Sequence, residues 1–267
     1  MFAASLTGAW ALRVGIPSQW PNQRWIVAVA LVVAIAVPAL VGMQPGGDAG
    51  KIAGKIGAVS TRFGEPPPPY SLEVMLRLEK IGDATAKLAG GEDGLDTVIY
   101  PESIIGPYDA SLYPALDLSV LRKSRLAGQT VIMGADLEIA RGKWQDVALV
   151  FRPDGSSSYV AARQTPPGAT WTPWSSKSHY PANWLADNTV NIGGGVKARV
   201  MFCFEEYMPI LHLIDEAAYD HNMVVVLSNL WAVKDPLASL VQGAHTQGMA
   251  LLFGRRWVRA VNFSKPR

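Results

Sequence analysis

Short β-branched runs alternate with amphipathic helical stretches from residue 56 to the end of the chain, and this alternation predicts a mixed α/β fold. Apolar spacing predicts helices over residues 71–89, 115–127, 208–220 and 236–248. Strands are predicted at residues 56–60, 97–100, 130–133, 147–151, 159–162, 198–204, 223–227 and 251–261. Asp154-Gly155 between two strands is a hairpin signal, so part of the sheet should be antiparallel.

An uncharged apolar run, WIVAVALVVAIAVPALVGM, covers residues 25–43 and has the length of a membrane-spanning helix. Arg24 and Trp25 form a cationic and aromatic pair at its start, as at a membrane interface. A cleaved signal peptide fits less well, because an apolar stretch at residues 1–15 precedes the run. We predict a membrane-associated N-terminus over residues 1–50 and one globular domain over residues 51–267.

Basic residues flank the apolar run on both sides, Arg13 and Arg24 before it and Lys51 and Lys55 after it. On this pattern we predict that the N-terminus lies inside and that the main domain lies outside the cytoplasm. The expected location is the inner (cytoplasmic) membrane, with the domain in the periplasm and the lipid bilayer as a partner.

Residues 164–191 contain four prolines and three tryptophans, Trp171, Trp174 and Trp184, without regular periodicity. This pattern predicts a long loop. The tryptophans favour a loop that covers a substrate or faces a membrane, although packing against the core is an alternative.

Charge and metal-binding residues exclude several classes of function. The formal net charge of +2 is too small to indicate nucleic-acid binding. The single cysteine permits no internal disulfide, and the four histidines lack metal-ligand spacing, so no metal site is predicted.

The side chains that could take part in catalysis lie where two predicted strands end. Tyr100-Pro101-Glu102 closes one strand, and Cys203-Phe204-Glu205-Glu206 closes another. A thiol in such a position can attack a carbonyl carbon when a neighbouring carboxylate takes its proton. The alternative is that Cys203 is a small core residue and that Glu205 is a solvated surface carboxylate beside Glu206.

The ordered segments TVIYPES, DVALVFRPDG, ARVMFCFEEYMP, VVLSNLWAV and MALLFGRRWVRAVNFS resemble the nitrilase (carbon-nitrogen hydrolase) superfamily, and within it the apolipoprotein N-acyltransferases. The resemblance implies an α-β-β-α sandwich without a cofactor. It also implies that Glu102 is the general base, that Cys203 is the nucleophile, and that Glu205, Asn229 and Trp231 lie at the substrate. The family spacing is Asn-x-x-Trp, whereas this chain has Asn-x-Trp, and these two residues could instead cap and pack a turn. Arg256, Arg259, Ala260 and Asn262 match a family segment that we interpret as scaffold.

The sequence departs from the family at its third catalytic residue, a lysine in a Tyr-x-Lys motif. Alignment on Tyr159 places Ala161 at the lysine position and Ala169 at that of a second glutamate. Arg163 is the candidate replacement cation, although arginine cannot give up a proton. Lys143, Lys177 and Lys197 are other candidates.

The chain also has fewer apolar helices than the N-acyltransferases, and it resembles the TraB-type proteins of plasmid conjugal-transfer regions. Three functions follow. The first is acyl transfer or amide hydrolysis through Cys203 and Glu102, acting on an acyl donor or amide. The second is an inactive nitrilase-fold assembly module of a conjugation apparatus. The third is a tethered amidase for small amides. The family resemblance also implies that the domain can pair as a homodimer.

Overall fold

A computed structural model describes residues 54–90, 94–174, 180–233 and 235–266 of the protein. The predicted membrane segment at residues 25–43, the predicted domain boundary near residue 50, and Lys177 lie outside these ranges. Within these ranges, the structure contains no helix with the length and apolar character needed to cross a membrane.

The first sheet is mixed and has the strand order β1-β2-β4-β5-β6, with β3 paired to β4. β1, β2 and β4 are parallel, whereas β4, β5 and β6 are successively antiparallel. The Asp154-Gly155 turn joins β5 to β6, which confirms the predicted hairpin. The strands are β1 (Ile56–Ala58), β2 (Thr97–Ile99), β3 (Pro107–Tyr108), β4 (Thr130–Ala140), β5 (Lys143–Phe151) and β6 (Ser157–Ala161).

The second sheet has the order β10-β9-β8-β7, in which the first three strands are parallel and β7 is antiparallel to β8. Its strands are β7 (Thr189–Asn191), β8 (Lys197–Phe202), β9 (Met223–Asn229) and β10 (Arg256–Asn262). Backbone hydrogen bonds between Thr61 and the Val261–Phe263 segment join the two sheets at one edge. The carboxyl ends of β1 and β10 are therefore held together.

The helices begin and end close to the predicted positions. α1 (Leu72–Ala89) is capped by Ser71, whose side chain accepts from Val74 N. α2 (Tyr113–Leu116), a π-helical turn (Asp117–Leu121) and α3 (Arg122–Leu126) form one continuous helical segment. α4 spans Pro209–Ala218, and α5 spans Pro236–Leu252. Asp235 caps α5 by accepting from Leu237 N at 2.8 Å.

Three apolar layers show how these elements stack. One layer packs α1 and α2 against the outer face of the first sheet. The second lies between the sheets and combines residues such as Ile132 and Val150 with Val200 and Val225. The third packs α4 and α5 on the outer face of the second sheet. The architecture is therefore an α-β-β-α sandwich, as the resemblance implied.

Three strand and helix limits differ from the prediction. β4 continues seven residues beyond Met133, because Gly134 lets the strand pass close beneath the backbone of residues 101–103. The segment predicted as loop ends in the short strand β7, which pairs with β8. Residues 251–252 belong to α5, so that β10 begins only at Arg256.

Candidate active site

The predicted nucleophile and base lie at the same edge of the sandwich, where parallel strands from both sheets end. Glu102 follows β2, Cys203 follows β8, and Asn229 and Asn262 end β9 and β10. Carboxyl ends of parallel strands are the usual place for sites in α/β folds. The order of strands and helices along the chain therefore brings Glu102 and Cys203, 101 positions apart, to one place.

Glu102 is 8% exposed and lies in a tight turn that crosses over Gly134 of β4. Gly134 N donates to Pro101 O at 3.0 Å. The next residue, Ser103, has a φ of 48°, and its hydroxyl donates to Asp136 Oδ1 at 2.8 Å. This left-handed conformation is costly for a residue other than glycine, so the surrounding contacts must hold the turn in place.

Cys203 begins a 3-10 helix (Cys203–Tyr207) directly after β8. Its Sγ lies 3.8 Å from the carbonyl oxygen of Asn229, and Gln242 Nε2 lies 3.5 Å from the same sulfur. Burial and the negative charge of Glu102 raise the pKa of the Cys203 thiol to about 12, while the hydrogen bond from Gln242 opposes this rise. The thiol is therefore neutral at pH 7.

Asn229 connects the base to the nucleophile. Its backbone hydrogen-bonds the Glu102 carboxylate, and its carbonyl oxygen faces Cys203 Sγ. Its side-chain Oδ1 accepts from Asn262 Nδ2 at 2.9 Å. Asn262 also bonds Gly64 O at 2.7 Å and Thr61 Oγ1 at 2.9 Å, which anchors this group to the end of β1. Asn229 thus lies beside both predicted catalytic residues through its backbone, and its predicted contact with substrate stays a prediction.

Carboxyl groups surround Glu102. Burial first, and then the charges of Asp136 and Glu205, raise the pKa of Glu102 well above its usual range. The pKa of Asp146, which faces Asp136 across β4 and β5, is also raised well above its usual range by burial and by Glu102. Sequence reasoning missed Asp136 and Asp146. The available signal was an acidic residue within each of two apolar strands.

Glu205 and Glu206 are both fully buried, so their interpretation as solvated surface carboxylates is wrong. Glu205 Oε1 accepts from the backbone N–H of Arg163 and, at 2.9 Å, from that of Gln164, and Oε2 accepts from Phe202 N at 3.1 Å. Burial raises the pKa of Glu205, and Arg163 opposes this rise. Glu205 therefore ties the end of β6 to the Cys203 segment, and its predicted contact with substrate stays a prediction.

The structure does not bring the Arg163 guanidinium to Cys203. Its Nη1 and Nη2 bind Asp215 of α4 at 2.6 and 2.8 Å, and both side chains are fully buried. Arg199 binds the same carboxylate at 3.1 Å. Because a buried carboxylate requires cationic partners, Asp215 holds Arg163 in the layer between the second sheet and α4. We therefore correct the assignment of Arg163 as the catalytic cation to a structural role.

The position aligned with the family lysine, Ala161, packs against the layer formed with α1. The next residue, Ala162, lies in the layer between the sheets, and its N–H donates to Asp146 O at 2.8 Å. Successive strand residues face opposite sides of a sheet, so Ala162 shares the face of Asp146. A lysine would therefore reach the carboxyl groups from Ala162 and not from Ala161.

The remaining predicted residues form no hydrogen bond with Cys203 Sγ in the described part of the chain. Lys143 is exposed at the start of β5, and Lys197 begins β8 at the edge opposite to Cys203. Trp231 is partly exposed in the turn after β9. Over the ranges that the structure describes, no cation hydrogen-bonds Cys203 Sγ, and no group of three or more His, Cys, Asp or Glu side chains is arranged to hold a metal ion.

No protein-family model matches this chain, and no curated protein matches it in sequence. Solved structures do match its fold. A carbon-nitrogen hydrolase from Helicobacter pylori has a TM-score of 0.60 and 13% identity, over 77% of this chain and 72% of that one. A nitrilase-superfamily amidase from Nesterenkonia has a TM-score of 0.56 and 15% identity, over 80% and 79%. A CN-hydrolase superfamily protein from Xanthomonas campestris, with an arsenic adduct in its active site, has a TM-score of 0.54 and 14% identity, over 78% and 76%. The chain therefore has the fold of nitrilase-superfamily proteins.

Proposed function

We propose that this protein cleaves or forms amide bonds through a covalent intermediate on Cys203, with Glu102 as the general base. The observation that carries the proposal is the placement of both side chains on the backbone of Asn229. A variant of the Nesterenkonia amidase carries acrylamide at its active-site cysteine. We infer that Cys203 occupies the equivalent chemical position in the shared fold.

The reaction proceeds in two half-steps. Glu102 takes the proton of Cys203 Sγ, and the sulfur forms a bond to the carbonyl carbon of an ester or amide. The carbon–oxygen or carbon–nitrogen bond then breaks, and Glu102 returns the proton to the leaving group, which leaves an acyl thioester. In the second half-step, Glu102 takes a proton from water or from an amine, and the oxygen or nitrogen forms a bond to the acyl carbon. The carbon–sulfur bond then breaks, and Glu102 returns the proton to Cys203 Sγ.

The charge around Glu102 fixes the pH dependence of this reaction. Glu102 acts as a base only when it is ionised, and burial beside Asp136 and Glu205 raises its pKa. The fraction of ionised Glu102 therefore increases with pH, and we expect the acylation rate to increase in parallel.

The test uses p-nitrophenyl acetate and acetamide-type amides with mass spectrometry of the intact protein. Because the chain has one cysteine, an acetyl group on a thioester can lie only on Cys203. We expect acylation in the parent protein and none on Cys203→Ala, with a large loss in Glu102→Gln. Glu79→Gln, an exposed change on α1, is the matched control and should retain the parent rate. Equal acylation of the parent and Cys203→Ala would reject the proposal.

A second candidate function is an inactive nitrilase-fold module that assembles with other proteins, as in a conjugation apparatus. It is favoured by the raised thiol pKa of about 12 and by the carboxyl groups around Glu102. In this case Cys203→Ala and Glu102→Gln should support plasmid transfer as well as the parent does. Loss of transfer by variants that remain folded would reject this function.

We also propose that residues 25–43 anchor the domain to the inner membrane, that the domain faces the periplasm, and that it pairs as a homodimer. The uncharged run and its flanking residues support the anchor, and the family resemblance supports the pairing. Membrane fractionation of the full chain and of a chain without residues 1–50 tests the anchor. Protease access in spheroplasts tests the orientation, and sedimentation in detergent tests the dimer.

A further inference from the structure

Gln242 of α5 is a fully buried polar side chain that contacts the candidate nucleophile. Its Nε2 donates to the carbonyl oxygen of Cys203 and lies 3.5 Å from Cys203 Sγ. Its Oε1 accepts from Arg259 Nη2 at 3.1 Å. A buried amide needs hydrogen-bond partners for both its N–H groups and its oxygen. Here the N–H groups face Cys203, and the oxygen accepts from Arg259.

The orientation of this amide follows from its partners. Arginine has donors only, so it must face the oxygen of the Gln242 amide. The carbonyl oxygen of Cys203 only accepts, so it must face the nitrogen. The reverse orientation would place donor against donor and acceptor against acceptor. Arg259 therefore fixes an N–H group in the direction of the thiol.

Arg259 is itself held in place on β10 by each of its nitrogens. Its Nε lies 2.9 and 3.1 Å from the two oxygens of Glu206, and its Nη1 lies 3.2 Å from Ser239 Oγ. Glu206 also accepts from Ser228, and from Thr246 Oγ1 at 2.8 Å. The cation, its counter-ion and the amide thus form one network behind Cys203.

We propose that Gln242 is a positioning residue for the Cys203 nucleophile, and that Arg259 acts on the sulfur through Gln242. The amide donor stabilises negative charge on sulfur, and a guanidinium bonded to its oxygen strengthens that donor. No cation in the described part of the chain hydrogen-bonds the thiol, and this arrangement partly compensates for that. The inference rests on the proposed nucleophilic role of Cys203.

The test measures the reactivity of the thiol and not turnover. Iodoacetamide alkylation of Cys203 is followed by mass spectrometry from pH 7 to pH 12, in the parent and in Gln242→Met. Methionine keeps a similar volume but has no N–H donor. We expect the alkylation rate at pH 8 to fall on the order of five-fold, which corresponds to the loss of one hydrogen bond, and the pH profile to move upward. Gln247→Met, an exposed change on the same helix, should match the parent.

A purely structural role for Gln242 would change the melting temperature and leave the pH profile in place. An unchanged rate and pH profile in folded Gln242→Met would overturn the proposal.

If Gln242→Met does not fold, Gln242→Glu is measured, since it still accepts from Arg259 and lacks the amide donor. It should alkylate more slowly than the parent, and a rate equal to or above that of the parent would overturn the proposal. If the parent protein is not acylated, but Gln242→Met still slows alkylation as expected, the proposed function is rejected and the positioning role of Gln242 is retained.

Discussion

Gly134→Ala should displace the proposed general base, Glu102, without a change to its side chain. A Cβ on Gly134 would lie 2.4 Å from Glu102 Cα and 2.5 Å from both Pro101 O and Ser103 N. Ordinary contacts of a Cβ begin at 3.4 Å, so the backbone of residues 101–103 must move by about 1 Å. All three atoms belong to the backbone, and no flexible side chain can absorb this movement.

A displacement of this size should lower the rate of Cys203 acylation by roughly 100-fold, because catalysis depends on the position of the base to within about 1 Å. The same overpacking should cost about 1–3 kcal/mol of the free energy of unfolding. Acylation by p-nitrophenyl acetate and urea denaturation measure the two effects. Gly248→Ala is the matched control, because nothing lies within 4 Å of a Cβ at that position in α5. It should stabilise the protein by up to about 1 kcal/mol without a change in rate. A folded Gly134→Ala protein with the parent acylation rate would refute the proposed role of the turn.

Three further changes test the charges around the site. Asp136→Asn removes the charge that, after burial, contributes most to the raised pKa of Glu102, and it keeps an oxygen that accepts from Ser103. The acid limb of the acylation pH profile should therefore move to lower pH, and an unmoved limb would contradict this coupling. Arg163→Met leaves Asp215 with Arg199 as its cationic partner and should lower the free energy of unfolding, measured by urea denaturation, by about 3 kcal/mol. An unchanged free energy of unfolding would argue against a structural role for Arg163. Ala162→Lys should increase the rate of Cys203 alkylation at pH 7 by about ten-fold, because it places a cation beside the carboxyl groups. Ala161→Lys, on the opposite face of the strand, should leave the rate unchanged. Equal effects of the two changes would show that the strand faces are misassigned.

Much of the fold could be predicted because its elements have local signals. Ser71 and the apolar spacing after it determine the start of α1, and Asp154-Gly155 determines the β5–β6 hairpin. β7 could not be predicted, since three residues carry no periodicity and the strand exists through its pairing with β8. The second half of β4 depends on the close approach of another segment to Gly134, which is a tertiary contact.

The same distinction applies to the site. Sequence reasoning could propose Glu102 and Cys203, because each follows an apolar strand and the ordered segments around them resemble a known family. Gln242 was not, since an amide within a helix has no local feature that separates it from the exposed Gln247 of the same helix. Its role appears only when α5 packs beside the Cys203 segment and β10 supplies Arg259.

Arg163 and Arg259 show how a buried charge restricts its neighbours. Arg163 lies two residues beyond the aligned lysine position, and distance along the chain favoured it. Asp215 is fully buried on α4, however, and an unpaired carboxylate there would be far more costly than an unassisted thiol. The Arg163 guanidinium therefore pairs with Asp215 and does not contact Cys203. Arg259 is restricted in the same way by Glu206, but its third nitrogen remains directed at Gln242. Among the described residues, Gln242 links Arg259 to Cys203, and we therefore expect this cation to act on the thiol through an intermediate donor.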